Sequence, residues 1–418
     1  MTTTGDLGPA LVAAAEALDR AARDGEPGGG SPGRITLTPV GEPLGGSRRS
    51  TVVRAAVAAG SAHERDTGLP EQVVVKVFDP ATGGEGWVRE AAALDVLGRG
   101  AGPGGPSSRG GAPAGPAPLL LAAVAEPPLV VLSDLGAGSS LADSLLGSRG
   151  DEAARHLVRW ATALGDLHRR SAGLRSGFEA ALGRFGGAAA PAVDSSVEML
   201  DRAAAMLTEQ LPALGIVPPA GAVDALRAPP TVTDACALTP ADACPDNNLE
   251  AAGGATTLLD FEGATFRHVA WDAAYLTVPW PSCWCSWRLE EQAGAGALRA
   301  WREAVLPAFP VVGTPAFEAD LRAVRARWAF VSTAWFLERA LAGDEAPAAG
   351  APVRMPGRRA LLLHRLGWVA DLDDREAGTA PALLALARHL VERLTALWGP
   401  VPLELAPAFR RTVHHGPA

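Results

Sequence analysis

The chain has 418 residues, 48% apolar and 20% charged, the balance of a soluble globular protein with ample material for a core, while 48 Gly and 35 Pro imply several loose insertions. A net charge of -9 argues against non-specific binding to nucleic acid or to an anionic membrane, and the arginines form no run that would reverse it. No secretory signal or membrane-spanning run is evident, and Cys236, Cys244, Cys283 and Cys285 are too few and too clustered for a secreted disulfide framework, so a cytoplasmic protein with reduced thiols is expected.

Residues 1–33 read as a short Ala-rich helix and a flexible Gly-rich tether, to which no chemistry is assigned. From Arg34 the pattern turns to short β-type runs, Ile35–Thr38, Ser50–Arg54 and Val73–Phe78, which predict a small antiparallel sheet. Between the first two lies the Gly-rich turn Gly41-Glu42-Pro43-Leu44-Gly45-Gly46-Ser47, in which Gly45, Gly46 and Ser47 are candidates for covering a phosphate. Such a turn is more often only a hairpin.

A helix carrying Glu85, Trp87, Val88, Ala91, Leu94 and Leu97 follows and stops at Gly98. Residues 98–118 are a low-complexity Gly, Pro, Ser and Ala tract with too little apolar bulk to order itself, an insertion in a loop. Two apolar strands resume around Pro127-Pro128 and end in Ser133-Asp134-Leu135-Gly136. Beyond Gly136 the periodicity is mostly helical. Ala154, Leu157, Val158, Ala161, Leu164 and Leu167 give Asp151–Ser171 one buried face, and further helices are predicted near Thr314–Leu341, Arg358–Leu372 and Pro381–Trp398. The chain therefore divides into an N-terminal helix and tether (1–33), a small β-rich lobe (34–136) and a larger, mainly helical lobe (137–418).

One bias directs attention to particular residues. Lys76 is the single lysine, and the adjacent Asn247 and Asn248 are the only asparagines. Pressure toward G and C in the gene depletes both types, so a survivor marks a position where replacement was not tolerated. Lys76 interrupts the apolar strand Val-Val-Val-Lys-Val-Phe, and Glu90 lies in the next predicted helix. A lysine on a strand is ordinarily a solvated edge residue; in a chain with no other lysine that reading weakens. Asp242 and Asn247 stand five residues apart in Pro240-Ala241-Asp242-Ala243-Cys244-Pro245-Asp246-Asn247, and the apolar run Thr256–Leu259 ends in Asp260-Phe261-Glu262. Asp and Asn in a Pro-containing loop are usually turn formers. The ordered set Lys, Glu, Asp, Asn, Asp is instead the set that aligns a triphosphate, holds its metal ions and accepts a hydroxyl proton.

These segments, with His268-Val269-Ala270-Trp271-Asp272-Ala273-Ala274, resemble the catalytic loop, metal-binding strand end and following helix of the aminoglycoside phosphotransferase family. Leu132–Gly136 resembles the family's hinge, and Ala163–His168 the helix before its catalytic loop. The resemblance covers roughly residues 34–300. It implies an α+β, bilobal protein-kinase-like fold, with a small antiparallel sheet plus one helix and a larger mainly helical lobe. It further implies ATP as donor and Mg²⁺ as cofactor, and the expected acceptor is a small-molecule hydroxyl, the acidic charge having already argued against a nucleic-acid or membrane partner. By the same resemblance Lys76 and Glu90 serve the nucleotide, Asp242 is the base, Asn247 and Asp260 hold metal, and Asp272 braces the loop.

Two departures stand out. Pro240-Ala241 occupies the place of the family's His-Gly, and the Gly-rich turn differs from the kinase pattern. They leave open a nucleotide-binding pseudokinase acting as a partner, as well as a peptide-directed kinase. Cys244, Cys283 and Cys285 lack the four-ligand spacing of structural zinc and are expected to be small buried thiols. A Walker-type loop is excluded because the glycines it requires do not precede Lys76.

Overall fold

A computed structural model describes residues 7–24, 35–46, 49–58, 69–99, 115–251, 253–278, 280–283, 286–343, 355–373 and 379–410. The elements run α1 Gly8–Asp24, β1 Thr36–Pro39, β2 Gly45–Gly46, β3 Ser50–Ala58, β4 Gln72–Phe78, α2 Gly86–Arg99, β5 Leu120–Val124, β6 Leu129–Ser133, β7 Gly138–Ser139, α3 Leu141–Leu146, α4 Gly150–Arg170 and α5 Arg175–Gly186. They continue as α6 Ser196–Gln210, α7 Ala222–Arg227, β8 Cys236–Thr239, β9 Asn248–Ala251, β10 Thr256–Leu258, β11 Thr265–His268, α8 Ala270–Ala273, α9 Glu291–Val305, α10 Pro315–Ala342, α11 Arg358–Ala370 and α12 Pro381–Trp398. The fold is α+β, with a small antiparallel sheet and a larger helical part. Two compact units emerge: Met1–Gly138 with Gly173–Val193 and Ala251–Thr265, and Ser139–Ala172 with Asp194–Glu250 and Phe266–Ala418. No described helix is long and apolar enough to cross a membrane.

In the first unit the sheet runs in the order β1-β3-β4-β6-β5, with β2 paired to β3, and the pairings of β4 are antiparallel. Side chains alternate between the two faces of a strand. Val73 and Val75 therefore join Val53, Ala55, Leu129 and Val131 on one face. That face is covered by α1, whose Ala10, Leu11, Ala14, Ala15 and Leu18 recur at helical spacing and bury against it. The N-terminal helix is thus an integral layer of the sheet's packing. The other face of β4 carries Val74, Lys76 and Phe78.

Helix α2 begins where Phe78 can be approached closely. A Cβ at Gly86 would lie 3.1 Å from the Phe78 ring and 3.2 Å from Glu262 Cβ, so glycine lets this helix start against both. Arg89 fixes α2 further by donating to the carbonyls of Ala264 (3.0 Å) and Ala192 (3.1 Å). Most of the insertion expected at 98–118 lies outside the described residues. Its two ends are ordered: Gly98 and Arg99 complete α2, and the Pro116 carbonyl accepts the Leu258 amide at 2.8 Å with Ala117 buried.

The second unit is built on α4 and α9. Leu157, Trp160, Ala161, Leu164 and Leu167 of α4 are fully buried, as is Trp301 of α9. At Gly165 an added Cβ would sit 2.7 Å from both Ala304 Cβ and the Trp301 carbonyl, so the two helices approach at a distance only glycine permits. Helix α10 is capped by Thr314, whose side chain accepts the Phe317 amide. Its Asp320 accepts the amides of Thr231 (2.8 Å) and Val232 (2.7 Å), fastening the chain that leads into β8.

Gly165→Val should force α4 from α9 and cost about 1–3 kcal/mol by overpacking, read as a lower urea-unfolding midpoint. A second expectation concerns His268 on β11, which is 4% exposed and pushed down by burial from 6.5 to about 4. The unfolded chain binds a proton that the folded chain refuses, so the stability tied to neutral His268 is complete above about pH 6.5 and is lost as pH falls toward 4. His268→Gln should flatten the pH dependence of unfolding across that window, by up to about 3 kcal/mol.

Candidate active site

Each unit carries one of the clusters that the sequence singles out. In the first, Lys76 is 5% exposed, and its Nζ donates to Glu90 Oε2 at 2.7 Å and Asp260 Oδ1 at 2.6 Å, with Glu262 Oε2 at 3.4 Å. The Phe78 ring lies 5.0 Å from the same ammonium. Burial works against the lysine's charge, but Glu90, Asp260 and Glu262 outweigh it and hold the pKa above the ordinary value. Burial pushes Glu90 above the usual carboxylate range, opposed by Lys76.

Three carboxylates thus face one lysine, and Arg49 answers part of the remaining charge by pairing with Glu262 Oε1 at 2.7 Å. The sum is one negative charge more than the cations present. Asp260 itself adopts φ +61°, a left-handed backbone that a non-glycine residue holds at a cost of roughly 1–3 kcal/mol. Its side chain is 32% exposed, against 2% for Glu90 and 9% for Glu262, so of the three it is the carboxylate that solvent reaches.

In the second unit the loop between β8 and β9 carries Asp242. Its Oδ1 accepts from Ser282 Oγ at 2.8 Å and from Cys244 Sγ at 2.9 Å. Tyr275, fully buried, has its hydroxyl 2.8 Å from Ser282 Oγ and 3.2 Å from the Ala241 carbonyl. The carbonyl can only accept, so the single Tyr275 proton goes to Ala241 while the Ser282 proton goes to Asp242. Asn247 Nδ2 donates to the Asp242 carbonyl at 2.9 Å, closing the loop on itself. Asn248 does separate work: its Nδ2 donates to the Pro245 carbonyl (2.7 Å), and its Oδ1 accepts the Leu141 amide (3.0 Å), stapling the loop to α3. Ala241 sits at φ +63° immediately before the carboxylate, bearing a Cβ in a conformation that glycine adopts without strain.

Behind the loop lies a fully buried charge network. Asp272 takes Arg267 on Oδ1 at 2.7 Å and His168 Nε2 on Oδ2 at 3.2 Å, while the Trp301 indole N–H points at His168 Nδ1 at 3.1 Å. An indole can only donate, so His168 Nδ1 is an acceptor and its proton sits on Nε2, facing Asp272. Burial alone would raise the Asp272 pKa; Arg267 and His168 overcome it and hold the carboxyl below the ordinary value. Arg267 extends a second contact, 3.4 Å, to the Ala241 carbonyl. Asp272 therefore acts on the loop through Arg267.

The structure brings Lys76, Glu90 and Asp260 together in one unit, and Asp242 and Asn247 together in the other. Gly45 and Gly46 form β2 against Thr51 and Val52 of β3, and Ser47 lies outside the described residues. The sequence reading passed over Arg49, Glu262, Arg267, Tyr275 and Ser282. Tyr275 had a signal available, since it is the only tyrosine in the chain and its codons are A- and T-rich like those of lysine and asparagine.

No family model matches the chain, and no curated protein matches it significantly. Among solved structures it is similar to a choline/ethanolamine kinase family protein from Mesorhizobium loti at 16% identity and TM-score 0.41, covering 90% of this chain and 97% of that one. It is also similar to Plasmodium vivax ethanolamine kinase at 10% identity and TM-score 0.42, with 85% and 81% covered. A streptomycin–ATP–APH(2")-IIa ternary complex gives 12% identity and TM-score 0.41 over 72% of this chain and 87% of that one.

Asp272→Asn should leave the Arg267 guanidinium buried against a neutral amide and cost roughly 3–5 kcal/mol in urea unfolding. Arg267→Met combined with Asp272→Asn should recover part of that loss, and a double-mutant cycle measures the coupling.

Proposed function

We propose that the chain is an ATP- and Mg²⁺-dependent phosphotransferase that moves the γ-phosphoryl group to a hydroxyl of a small molecule. The observation that carries this reading is the clamping of the only lysine, buried, by Glu90 and Asp260, in a chain whose Asp242-to-Asn247 loop is closed by its own asparagine. Lys76, held by Glu90, supplies a fixed positive charge for the phosphates. The carboxylate oxygens of Asp260 and the amide oxygen of Asn247 are hard donors of the kind Mg²⁺ takes, and the excess negative charge around Lys76 suits a divalent cation. Such an ion would neutralise charge on the transferring phosphates.

Asp242 is the proton acceptor in this reading. Ser282 and Cys244 orient its carboxylate, and the Tyr275 hydroxyl, donating to the Ala241 carbonyl, holds the loop beside Ser282. As the acceptor hydroxyl attacks phosphorus, its proton passes to the Asp242 carboxylate and the bond to the leaving diphosphate oxygen breaks. Arg267, Asp272 and His168 keep the loop backbone in place without touching the reacting atoms.

A second reading, a pseudokinase that binds nucleotide as a partner protein, is favoured by one observation: Asp242 Oδ1 already accepts two hydrogen bonds, from Ser282 and Cys244. The two readings separate in a single set of measurements. Incubation with ATP, Mg²⁺ and a panel of hydroxylated metabolites should give a phosphorylated product, and Asp242→Asn should lower the rate by ~10²–10⁴-fold while leaving ATP binding by calorimetry intact. Calorimetric ATP binding with no turnover on any acceptor supports the pseudokinase, and absence of ATP binding removes both.

A further inference from the structure

Beside the candidate base lies a second cluster of different chemistry. The donor atoms of Cys244, Asp246 and Cys283 all lie within 4.8 Å of one another, the two thiols buried and the carboxylate half-buried. We propose that these three side chains form a binding site for a soft divalent cation, with Zn²⁺ as the type case, separate from any Mg²⁺ that serves phosphate chemistry. It does not rest on the phosphotransferase reading, although it shares Cys244, whose thiol donates to Asp242 Oδ1 at 2.9 Å and gives up that hydrogen bond when its sulfur binds metal.

The donor set and its geometry carry the proposal. Two thiolates and one carboxylate suit zinc and related metals, whereas Mg²⁺ and Ca²⁺ prefer all-oxygen surroundings. With Zn–S near 2.3 Å and Zn–O near 2.1 Å, tetrahedral donors lie about 3.4–3.8 Å apart, so the observed spread closes with sub-ångström shifts. Three protein ligands leave a fourth position for water or another donor.

The scaffold is already fixed. Cys244 and Asp246 ride on one turn, closed by the Asn247 amide donating to the Cys244 carbonyl at 3.0 Å. Cys283 is held from the other side by its own amide on the Trp280 carbonyl, at 3.0 Å, and by Ser286 Oγ on its carbonyl, at 2.5 Å. The fully buried guanidinium of Arg365 reaches the carbonyls of Trp280 and Pro281. Two thiolates, one carboxylate and a divalent ion sum to minus one, and the Arg365 guanidinium, which interacts electrostatically with both Cys244 and Cys283, offsets that charge beside the further carboxylate of Asp242. The sequence argument against zinc counted cysteines alone. Asp246 is the ligand that count leaves out, and Cys285, which it included, lies outside the described residues.

The test titrates reduced full-length protein with Co²⁺ in the presence of excess Mg²⁺, then competes with Zn²⁺ and determines zinc content by elemental mass spectrometry. One equivalent of Co²⁺ should give a thiolate-to-cobalt charge-transfer band that one equivalent of Zn²⁺ abolishes. An all-oxygen site would bind Co²⁺ without that band, so the two kinds of site are told apart, and no step depends on turnover. Cys244→Ser and Cys283→Ser should each remove the band, Asp246→Asn should weaken binding by about 10–100-fold, and Cys236→Ser should leave it unchanged. Absence of the band in the reduced wild-type protein overturns the proposal even if the variants fail to fold, as does a band that survives loss of both Cys244 and Cys283.

Discussion

A lysine cannot be taken out of water alone. The cost of burying an ammonium is several kcal/mol after relaxation, and it is met only where anions and hydrogen-bond acceptors are held in place. Lys76 meets that condition with Glu90 and Asp260 in direct contact and Glu262 close by. The requirement propagates outward. Glu90 must lie on a helix that starts tightly against Phe78, so Gly86 has no room for a side chain. Asp260 must project from a strained backbone at the end of β10, and Glu262 must turn back toward both Lys76 and Arg49. Local conformations that make little sense alone are consequences of one buried charge.

The second unit solves a related problem with Asp272. Here the buried charge is an anion, answered by Arg267 and by a histidine whose tautomer is set by an indole N–H from α9. Because Trp301 anchors that chain of contacts and α9 packs against Gly165 of α4, the orientation of the loop before Asp242 is coupled to helix packing. The network stiffens a backbone that contains Ala241 in a left-handed conformation.

How far the sequence disclosed this depends on the kind of signal. The long helices α4, α10, α11 and α12 were legible from apolar periodicity, and β4 from its run of valines. Lys76 and Asn247 were legible because the chain otherwise avoids their types, and Glu90 followed from its place on the next helix. Ser282 and Arg267 were not legible, since a serine near a Pro-rich loop and an arginine in a strand have no spacing that declares a partner. Their roles arise when segments distant in sequence meet. The same limit applied to α1: a short Ala-rich helix was legible, but the face it covers belongs to strands far along the chain. The cysteines show the converse error, because a search framed on cysteine spacing had no place for the carboxylate of Asp246 beside them.

The position of α1 has a consequence for how the molecule is made. Its apolar stripe rests on a sheet face that includes Leu129 and Val131, so α1 leaves the ribosome with no complete surface to cover until β6 has also emerged. Contacts between α1 and a strand more than a hundred residues later are the slow kind, since the intervening loop must close before they contribute. Until then Leu11 and Leu18 are exposed to any other apolar surface. The helix that completes the sheet therefore waits for it, and the stage of synthesis before β6 is one at which this chain needs protection from its neighbours.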